Sequence, residues 1–207
     1  MFPRVYPITD FRLSGLSHAQ QVERLIEGGA TLVQLREKEL SPSEFFYQAK
    51  SALALARKKG TRIIINDRAD VAAALGADGV HLGQDDLPPE AARQLLGPAA
   101  IIGFSTHNLE QARKAATLPI DYLAIGPIFK TGTKTKPDPV VGLEGIRTVR
   151  AAVDRLTLVA IGGITFETAR EVLAAGADSV AIISALVSDP DEITRRTSNL
   201  VSHLSSD

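Results

Sequence analysis

The chain has 207 residues, 44% of them hydrophobic and 23% charged, which is an ordinary globular composition. Its 23 Lys and Arg residues are balanced by 24 Asp and Glu residues, so no basic excess is available to neutralise a nucleic-acid backbone. It contains no cysteine, which excludes disulfides, thiolate catalysis and cysteine-based metal sites. No run approaches the ~18 apolar residues of a membrane span, and the first residues do not resemble a signal peptide. We therefore expect a cytoplasmic protein with neither a membrane nor a nucleic-acid partner.

Short runs rich in β-branched residues alternate with longer amphipathic stretches along the whole chain. This alternation predicts βαβ units and a parallel sheet. Several runs are apolar at nearly every position, as expected for strands buried on both faces. The predicted strands are Val5–Thr9, Leu32–Leu35, Arg62–Asn66, Gly79–Leu82, Ile101–Ser105, Tyr122–Ile125, Thr157–Ile161 and Ser179–Ile183.

Eight strand–helix units in about 200 residues favour a closed barrel. We predict an α/β fold with a single (β/α)8 TIM barrel and one catalytic domain over residues 1–207. The alternative is an open doubly wound sheet, but no glycine-rich dinucleotide fingerprint follows the first strand.

Local signals support repeated units. Ser41-Pro42-Ser43-Glu44 is a capping box that predicts a helix running to Lys59, with Gly60 ending it. Similar helix-to-strand junctions recur at Gly29-Ala30, at Gly76-Ala77-Asp78 and at Gly176-Ala177-Asp178, with a looser copy at Asp121. Junctions of one kind at intervals along the chain favour a repeated βα unit.

Charged residues follow the predicted second strand. In a parallel barrel the active site lies at the carboxyl ends of the strands. Arg36 and Lys38 come at such an end and could bind a phosphate, Arg through a planar fork and Lys as a point charge. The alternative is a solvated loop.

Carboxylates follow the third and fourth strands, which are neighbours in a barrel. Asp67 and one of Asp85 and Asp86 could hold Mg²⁺ together with substrate phosphates and water. The alternatives are a turn or helix cap at Asn66-Asp67, and a helix cap at Asp85 or Asp86 before Pro88.

The four histidines give weaker signals. His107 follows the fifth strand and could act as an acid or base, although a hydrogen-bonding or packing role is more common for such a residue. His81 lies within a strand and is interpreted as structural. His18 and His203 are interpreted as helix-surface residues.

Two further segments could bind anions. The long stretch Gly126–Gly142 contains hydroxyl groups, glycines and three lysines, but it lacks P-loop spacing, and a mobile solvated loop is the alternative. Gly162-Gly163 and Ser184 follow the last two strands, where barrels often bind phosphate. Two anion sites, a metal pair and no covalent nucleophile together indicate group transfer with loss of pyrophosphate.

The ordered motifs resemble the thiamine phosphate synthase family over nearly the whole chain, and as an ordered set they are highly specific. The matching segments are Ile8-Thr9-Asp10, residues 34–38 (Gln-Leu-Arg-Glu-Lys), residues 65–68 (Ile-Asn-Asp-Arg), residues 76–86, residues 103–107 (Gly-Phe-Ser-Thr-His), residues 121–129, residues 131–134 (Thr-Gly-Thr-Lys), residues 160–164 and Ile182-Ile183-Ser184.

The resemblance implies condensation of 4-amino-2-methyl-5-hydroxymethylpyrimidine diphosphate with 4-methyl-5-hydroxyethylthiazole phosphate, or its carboxylated tautomer. The products would be thiamine monophosphate and pyrophosphate, formed by Mg²⁺-assisted dissociative transfer. It assigns the pyrimidine diphosphate to Gln34, Arg36, Lys38, Asn66, Ser105 and Lys134, of which Arg36, Lys38, Ser105 and Lys134 would be catalytic. It assigns Mg²⁺ to Asp67 and Asp86, and the thiazole phosphate to Thr131, Thr133, Gly163, Ile183 and Ser184.

Two other functions are compatible with parts of this pattern. A TenI-like thiazole tautomerase shares the barrel and the glycine pair, but it generally departs from the metal and diphosphate motifs that this chain keeps. A non-catalytic sensor of phosphorylated ligands could use the same fold. Such a sensor would not need a metal for a leaving group. The sequence leaves the oligomeric state open, a homo-oligomer included.

Overall fold

The structure is a computed structural model that describes residues 2–132 and 138–205. Eight parallel strands pair in chain order, and the eighth closes on the first. The predicted single (β/α)8 barrel is confirmed, and the doubly wound alternative is wrong. The strands are β1 (Val5–Asp10), β2 (Leu32–Arg36), β3 (Arg62–Asn66), β4 (Gly79–Leu82), β5 (Ile101–Thr106), β6 (Tyr122–Ile125), β7 (Thr157–Ile161) and β8 (Ser179–Ile182).

Helices follow every strand. The helix predicted from the capping box spans Pro42–Lys59, with both hydrogen bonds of the box formed, and Gly60 ends it with φ 71°. Within the described part of the chain, no helix is long and apolar enough to cross a membrane. The helices are α1 (Phe11–Ser14), α2 (His18–Glu27), α3 (Pro42–Lys59), α4 (Ala69–Leu75), α5 (Pro89–Leu96), α6 (Leu109–Ala115), α7 (Gly142–Val153), α8 (Ala169–Ala174), α9 (Ser184–Val187) and α10 (Ile193–Ser205), with a 3₁₀ turn at Pro190–Glu192.

The core has two layers. The larger one lies between the barrel and its helices, and the smaller one fills the barrel interior. Two of the interior side chains are tyrosines, Tyr6 and Tyr122, whose hydroxyl groups bring polar atoms into the centre of the barrel. The interior set is Tyr6, Ile8, Leu32, Ile64, Tyr122, Ala124, Val159 and Ala181.

The repeated junctions lie at the amino-terminal end of the barrel, and the three that contain an aspartate share one structural role. Asp78, Asp121 and Asp178 each precede a strand and accept a hydrogen bond from a backbone N–H at the start of the preceding strand, at 2.7 Å in all three cases. Arg93 and Arg150 pair with Asp121 and Asp178 at 2.7 and 2.9 Å. These aspartates therefore fasten adjacent strands where the barrel begins.

The strands β1 and β2 each extend one residue beyond the predicted end. This extension places Asp10 opposite Arg36 in the β1–β2 register. Both side chains consequently lie at the carboxyl end of the barrel, where the candidate site is found.

Candidate active site

A cavity of about 950 Å³ opens at the carboxyl ends of the strands. Polar residues predicted from separate segments converge on it, which the barrel geometry explains. Thr133 and Lys134 lie outside the described residues. The predicted residues that line the cavity are Gln34, Arg36, Lys38, Asn66, Asp67, Asp86, Ser105, Thr131, Gly163, Ile183 and Ser184.

The cationic side chains at the end of β2 are held by carboxylates. Arg36 Nη1 lies 2.6 Å from Asp10 Oδ2, and both side chains are largely buried. The Lys38 ammonium pairs with the Asp67 carboxylate across to the end of β3. Arg36 is therefore oriented by its neighbour on β1, and Lys38 bridges two adjacent strands at the cavity rim. The solvated-loop alternative does not describe Arg36.

Glu37 organises the loop that carries these cations. Its Oε1 accepts hydrogen bonds from the backbone N–H groups of Lys38 and Glu39, both at 2.7 Å, and of Leu40 at 3.2 Å. Its Oε2 lies 3.2 Å from His18 Nε2. Burial acts to raise the pKa of Glu37, but these hydrogen bonds outweigh it and lower the pKa to about 2.

The interpretation of His18 as a helix-surface residue is wrong. Its side chain is fully buried. Nδ1 lies 2.7 Å from Thr9 Oγ1, and Nε2 lies 3.2 Å from Glu37 Oε2. A histidine at the first position of α2 can thus be a core residue that joins β1 to the loop after β2. His203 is partly buried and stacks on Phe166.

Asp67 and Asp86 are brought together from adjacent strands. Asp67 has φ 61°, a left-handed conformation that is uncommon for residues other than glycine and is often found at functional positions. Asp86 Oδ2 accepts a hydrogen bond of 2.7 Å from the backbone N–H of Gly83. Partial burial raises the pKa of Asp86, and the neighbouring negative charge of Asp67 adds to that effect.

The helix-cap alternatives for these aspartates are wrong. Helix α4 has Arg68 at its N-cap and α5 has Pro88, and neither helix start has a side-chain cap hydrogen bond. Asp85 is exposed at the cavity edge, whereas Asp86 is half-buried and turned inward. Asp86 is therefore the better placed of the two to act with Asp67.

The Asp67–Asp86 pair fits a hard divalent cation. Two carboxylates, which are oxygen donors, face one cavity. Repulsion by the Asp67 charge is one of the causes that raise the pKa of Asp86. No group of three or more His, Cys, Asp or Glu side chains suited to a metal occurs within residues 2–132 and 138–205. A two-carboxylate site is typical of Mg²⁺, which takes its other ligands from substrate phosphates and water.

Ser105 is tied into the barrel interior by His81. His81 Nε2 lies 2.8 Å from Ser105 Oγ, and its Nδ1 lies 2.8 Å from the Tyr122 hydroxyl. Burial lowers the pKa of His81 to about 4, although the charge of Asp86 opposes this shift, so the imidazole is neutral at pH 7. Burial also raises the pKa values of Tyr6 and Tyr122, so both phenols keep their protons.

Two glycines that follow β7 line another part of the cavity. Gly162 and Gly163 have φ values of 100° and 67°. A Cβ added at Gly163 would lie 2.6 Å from the Lys130 carbonyl oxygen and 2.8 Å from Phe129 Cβ. Residue 163 must therefore be glycine, first of all because the loop after β6 packs too closely against it to admit a side chain. Ile183 and Ser184 lie where β8 passes into α9.

His107 is held by backbone and amide groups. Its Nδ1 lies 2.6 Å from the Gly126 carbonyl oxygen, and its backbone N–H donates to Gln111 Oε1 at 2.7 Å. This arrangement agrees with the hydrogen-bonding role that the sequence favoured for His107.

The sequence prediction missed three residues that organise the cavity: Asp10, Glu37 and Tyr122. All three lie inside the motifs that carried the family resemblance, which was the available signal. Nothing in the local pattern around Tyr122 indicates a polar role, because it reads as one more apolar strand residue.

A (β/α)8 barrel with cations, an inward carboxylate pair and a glycine-lined wall at its catalytic end belongs to the class of barrel enzymes that act on phosphorylated substrates. Comparison with known proteins narrows this class. The family model described as "Thiamine monophosphate synthase" matches residues 5–186.

Relatives of known name agree with that match. The chain is 50% identical over 189 residues to the thiamine-phosphate synthase of Albidiferax ferrireducens, covering 91% of this chain and 86% of the relative. It is 48% identical over 195 residues to the thiamine-phosphate synthase of Koribacter versatilis, covering 91% and 90%. A solved structure of thiamine phosphate pyrophosphorylase from Pyrococcus furiosus superimposes with a TM-score of 0.87 at 38% identity, covering 98% of this chain and 95% of that one. The chain belongs to the thiamine monophosphate synthase family, and it is a transferase of thiamine biosynthesis.

Proposed function

We propose that this enzyme condenses 4-amino-2-methyl-5-hydroxymethylpyrimidine diphosphate with 4-methyl-5-hydroxyethylthiazole phosphate, or its carboxylated tautomer, and that it requires Mg²⁺. The products are thiamine monophosphate and pyrophosphate, and the carboxylated tautomer also loses its carboxyl group as CO₂. One observation carries the proposal: the Asp67–Asp86 pair lies in the same cavity as Arg36 and Lys38. Carboxylates and cations together suit a diphosphate that arrives with a divalent metal.

The pyrimidine diphosphate binds on the side of the cavity formed by β2 to β5. Arg36, fixed by Asp10, and Lys38 hold the diphosphate oxygens, and the family resemblance assigns Lys134 to the same ligand. When bound at Asp67 and Asp86, Mg²⁺ neutralises charge on the diphosphate and improves it as a leaving group. The pyrimidine ring is held by Gln34, Asn66 and Ser105.

The thiazole phosphate binds on the side formed by β6 to β8. Thr131 offers a hydroxyl group, and Gly163, Ile183 and Ser184 offer backbone close to the ligand. The family resemblance assigns Thr133 to the same phosphate. No charged side chain is needed here, because backbone N–H groups at a strand–helix junction bind phosphate well. The two ligands then meet above the centre of the barrel.

The transfer is dissociative. The bond between the pyrimidine methylene carbon and the diphosphate oxygen breaks, and its electron pair leaves with pyrophosphate. The electron-rich aminopyrimidine supports the resulting carbocation, and the lone pair of the thiazole nitrogen forms the new C–N bond. Arg36 and Lys38 stabilise the charge that develops on the departing oxygens. Ser105 keeps the pyrimidine in line with the thiazole.

The test is an omission assay with mass detection of thiamine monophosphate. We expect product only when both substrates and Mg²⁺ are present, with pyrophosphate released in equal amount. Isomerisation of the carboxylated thiazole without the pyrimidine diphosphate would support the tautomerase instead. Binding of both ligands without turnover would support the sensor. We further propose one catalytic domain acting in the cytoplasm, on small molecules alone.

A further inference from the structure

A continuous line of hydrogen bonds crosses the interior of the barrel beneath the cavity. Gln34 Nε2 donates to the Tyr6 hydroxyl at 3.0 Å, and the Tyr6 and Tyr122 hydroxyls lie 3.0 Å apart. The Tyr122 hydroxyl lies 2.8 Å from His81 Nδ1, and His81 Nε2 lies 2.8 Å from Ser105 Oγ. The two ends of the line, Gln34 on β2 and Ser105 on β5, are both cavity residues.

The direction of every bond in this line follows from its first donor. Tyr6 accepts from the Gln34 amide, and pairing of its own buried proton then requires donation to the Tyr122 oxygen. Tyr122 must then donate its own proton to His81 Nδ1. An imidazole that accepts at Nδ1 and is neutral carries its proton on Nε2, where it donates to Ser105 Oγ.

We propose that His81 is a positioning residue which, in its Nε2–H tautomer, holds Ser105 as a hydrogen-bond donor toward the substrate. The Ser105 oxygen is occupied by the proton from His81, so its own hydroxyl proton points away from His81. At the far end Gln34 uses its amide nitrogen internally, which leaves its carbonyl oxygen as the group for the ligand. The line of hydrogen bonds thus presents two groups to the cavity, the Ser105 hydroxyl as a donor and the Gln34 side-chain oxygen as an acceptor.

This polarity suits an aminopyrimidine, and that part of the inference rests on the proposed function. Such a ring has nitrogen atoms that accept and an exocyclic amine that donates. The reversed line, with a flipped Gln34 amide, would leave Ser105 donating to His81 and able only to accept from a ligand. The orientation of one buried amide on β2 therefore sets the hydrogen-bonding character of a residue on β5.

The barrel provides space for the central residue of this line. A Cβ added at Gly103 would lie 2.0 Å from the Tyr122 ring. The ring also stacks on the His81 imidazole, with centroids 5.5 Å apart and planes 20° from parallel. Packing of the ring thus fixes the position of Tyr122 independently of the hydrogen bonds of its hydroxyl group. This packing keeps the line of hydrogen bonds pre-organised.

The direct test is the tautomer of His81 in the free protein at pH 7. Nitrogen-15 chemical shifts of the imidazole distinguish a protonated from an unprotonated ring nitrogen, and the chain has 4 histidines to assign by single substitution. We expect a proton on Nε2 and none on Nδ1. An Nδ1–H tautomer or an imidazolium would overturn the inference. This measurement needs no substrate, so its failure is distinguishable from failure of the proposed function.

A kinetic test asks whether the line matters for binding. Tyr122→Phe keeps the ring but removes the hydroxyl that selects the His81 tautomer. We expect a mixed tautomer signal and a KM for the pyrimidine diphosphate raised about tenfold, with an unchanged KM for the thiazole phosphate. Equal effects on both KM values, or none, would overturn the positioning role.

A double-mutant cycle and a control complete the design. Ser105→Ala removes the donor at the end of the line, so adding Tyr122→Phe should raise the KM no further. Fully additive effects would contradict a shared path. Tyr47→Phe, on an exposed tyrosine of α3, makes the same chemical change away from the barrel interior and should leave both KM values unchanged. If Tyr122→Phe fails to fold, the wild-type tautomer still decides the inference.

Discussion

The two ends of the barrel use aspartate in opposite ways. At the amino-terminal end Asp78, Asp121 and Asp178 each accept a backbone N–H, and two of them also pair with an arginine. At the carboxyl end Asp67 and Asp86 face each other, and the pKa of Asp86 is raised by burial and by its neighbour. The first arrangement stabilises strand pairing, whereas the second places two like charges together, and the Lys38 ammonium that pairs with Asp67 offsets their repulsion only in part. Carboxylates on one sheet thus separate into structural and functional groups according to their partners.

The largest effect is expected from Asp86→Asn. This change keeps the size of the side chain but removes one charge of the proposed Mg²⁺ site, so turnover should fall at least about 100-fold. The melting temperature should not fall, because a like charge beside Asp67 is removed. Steady-state rates at saturating Mg²⁺ and thermal melts measure the two quantities.

Asp85→Asn is the matched control for this comparison. Asp85 is exposed in the same loop, and we expect nearly normal turnover from the variant. If Asp85 proves essential and Asp86 dispensable, the assignment of the metal ligand is wrong by one position.

The next effect concerns Arg36 and its partner on β1. Arg36→Ala should lower kcat/KM for the pyrimidine diphosphate about 100-fold, the scale of losing one oriented charge-stabilising donor. Asp10→Asn should lower it only about tenfold, because Arg36 stays present but loses the carboxylate that fixes it. Kinetics with each substrate varied in turn check both values. A larger effect from Asp10→Asn than from Arg36→Ala would contradict the proposed roles.

At the amino-terminal end the expected change is in stability. Asp178→Ala leaves the Leu158 N–H without its acceptor and removes the ion pair with Arg150, which should cost about 1–3 kcal/mol in the free energy of unfolding. Chemical denaturation measures this cost, and kcat per folded enzyme should stay normal. The exposed Asp191 is the control, and its change to Ala should have almost no effect on stability. A selective loss of kcat in Asp178→Ala would break the distinction between the two ends.

The smallest effect is the acid sensitivity contributed by Glu37. Its pKa is about 2 in the folded protein against an ordinary value of 4.5, so its ionised form stabilises the fold fully above pH 4.5. That contribution is lost as the pH falls from 4.5 through about 2. The stability difference between wild type and Glu37→Gln, from denaturation at several pH values, should therefore shrink over this range. The exposed Glu23→Gln should show no such trend, and a pH-independent difference for Glu37→Gln would contradict the account.

The fold was predictable because its signals are local and repeated. The same strand–helix unit is indicated by the alternating sequence patterns, by the capping box at Ser41 and by the Gly-Ala-Asp junctions. Eight such units close a barrel. The cavity was predictable for the same reason, since parallel strands send their carboxyl ends to one face. Motifs at those ends therefore had to meet.

The sequence did not predict which side chains contact each other near that end of the barrel. His18 reads as a surface position on a helix, yet it is buried between Thr9 and Glu37. Tyr122 reads as an apolar strand residue, yet its hydroxyl contacts both Tyr6 and His81. Such contacts join distant segments, and they depend on side-chain directions that a one-dimensional pattern does not contain.

The rate of pyrophosphate release as a function of Mg²⁺ concentration, with both substrates present, tests directly whether the reaction at this end of the barrel depends on a metal. Wild type, Asp178→Ala and the double variant Asp67→Asn/Asp86→Asn should be compared as folded protein. We predict saturable Mg²⁺ dependence for wild type and for Asp178→Ala, and no release from the double variant at any Mg²⁺ concentration. Release from the double variant at the wild-type rate, or full wild-type activity in EDTA, would contradict a metal-assisted diphosphate reaction at this end of the barrel.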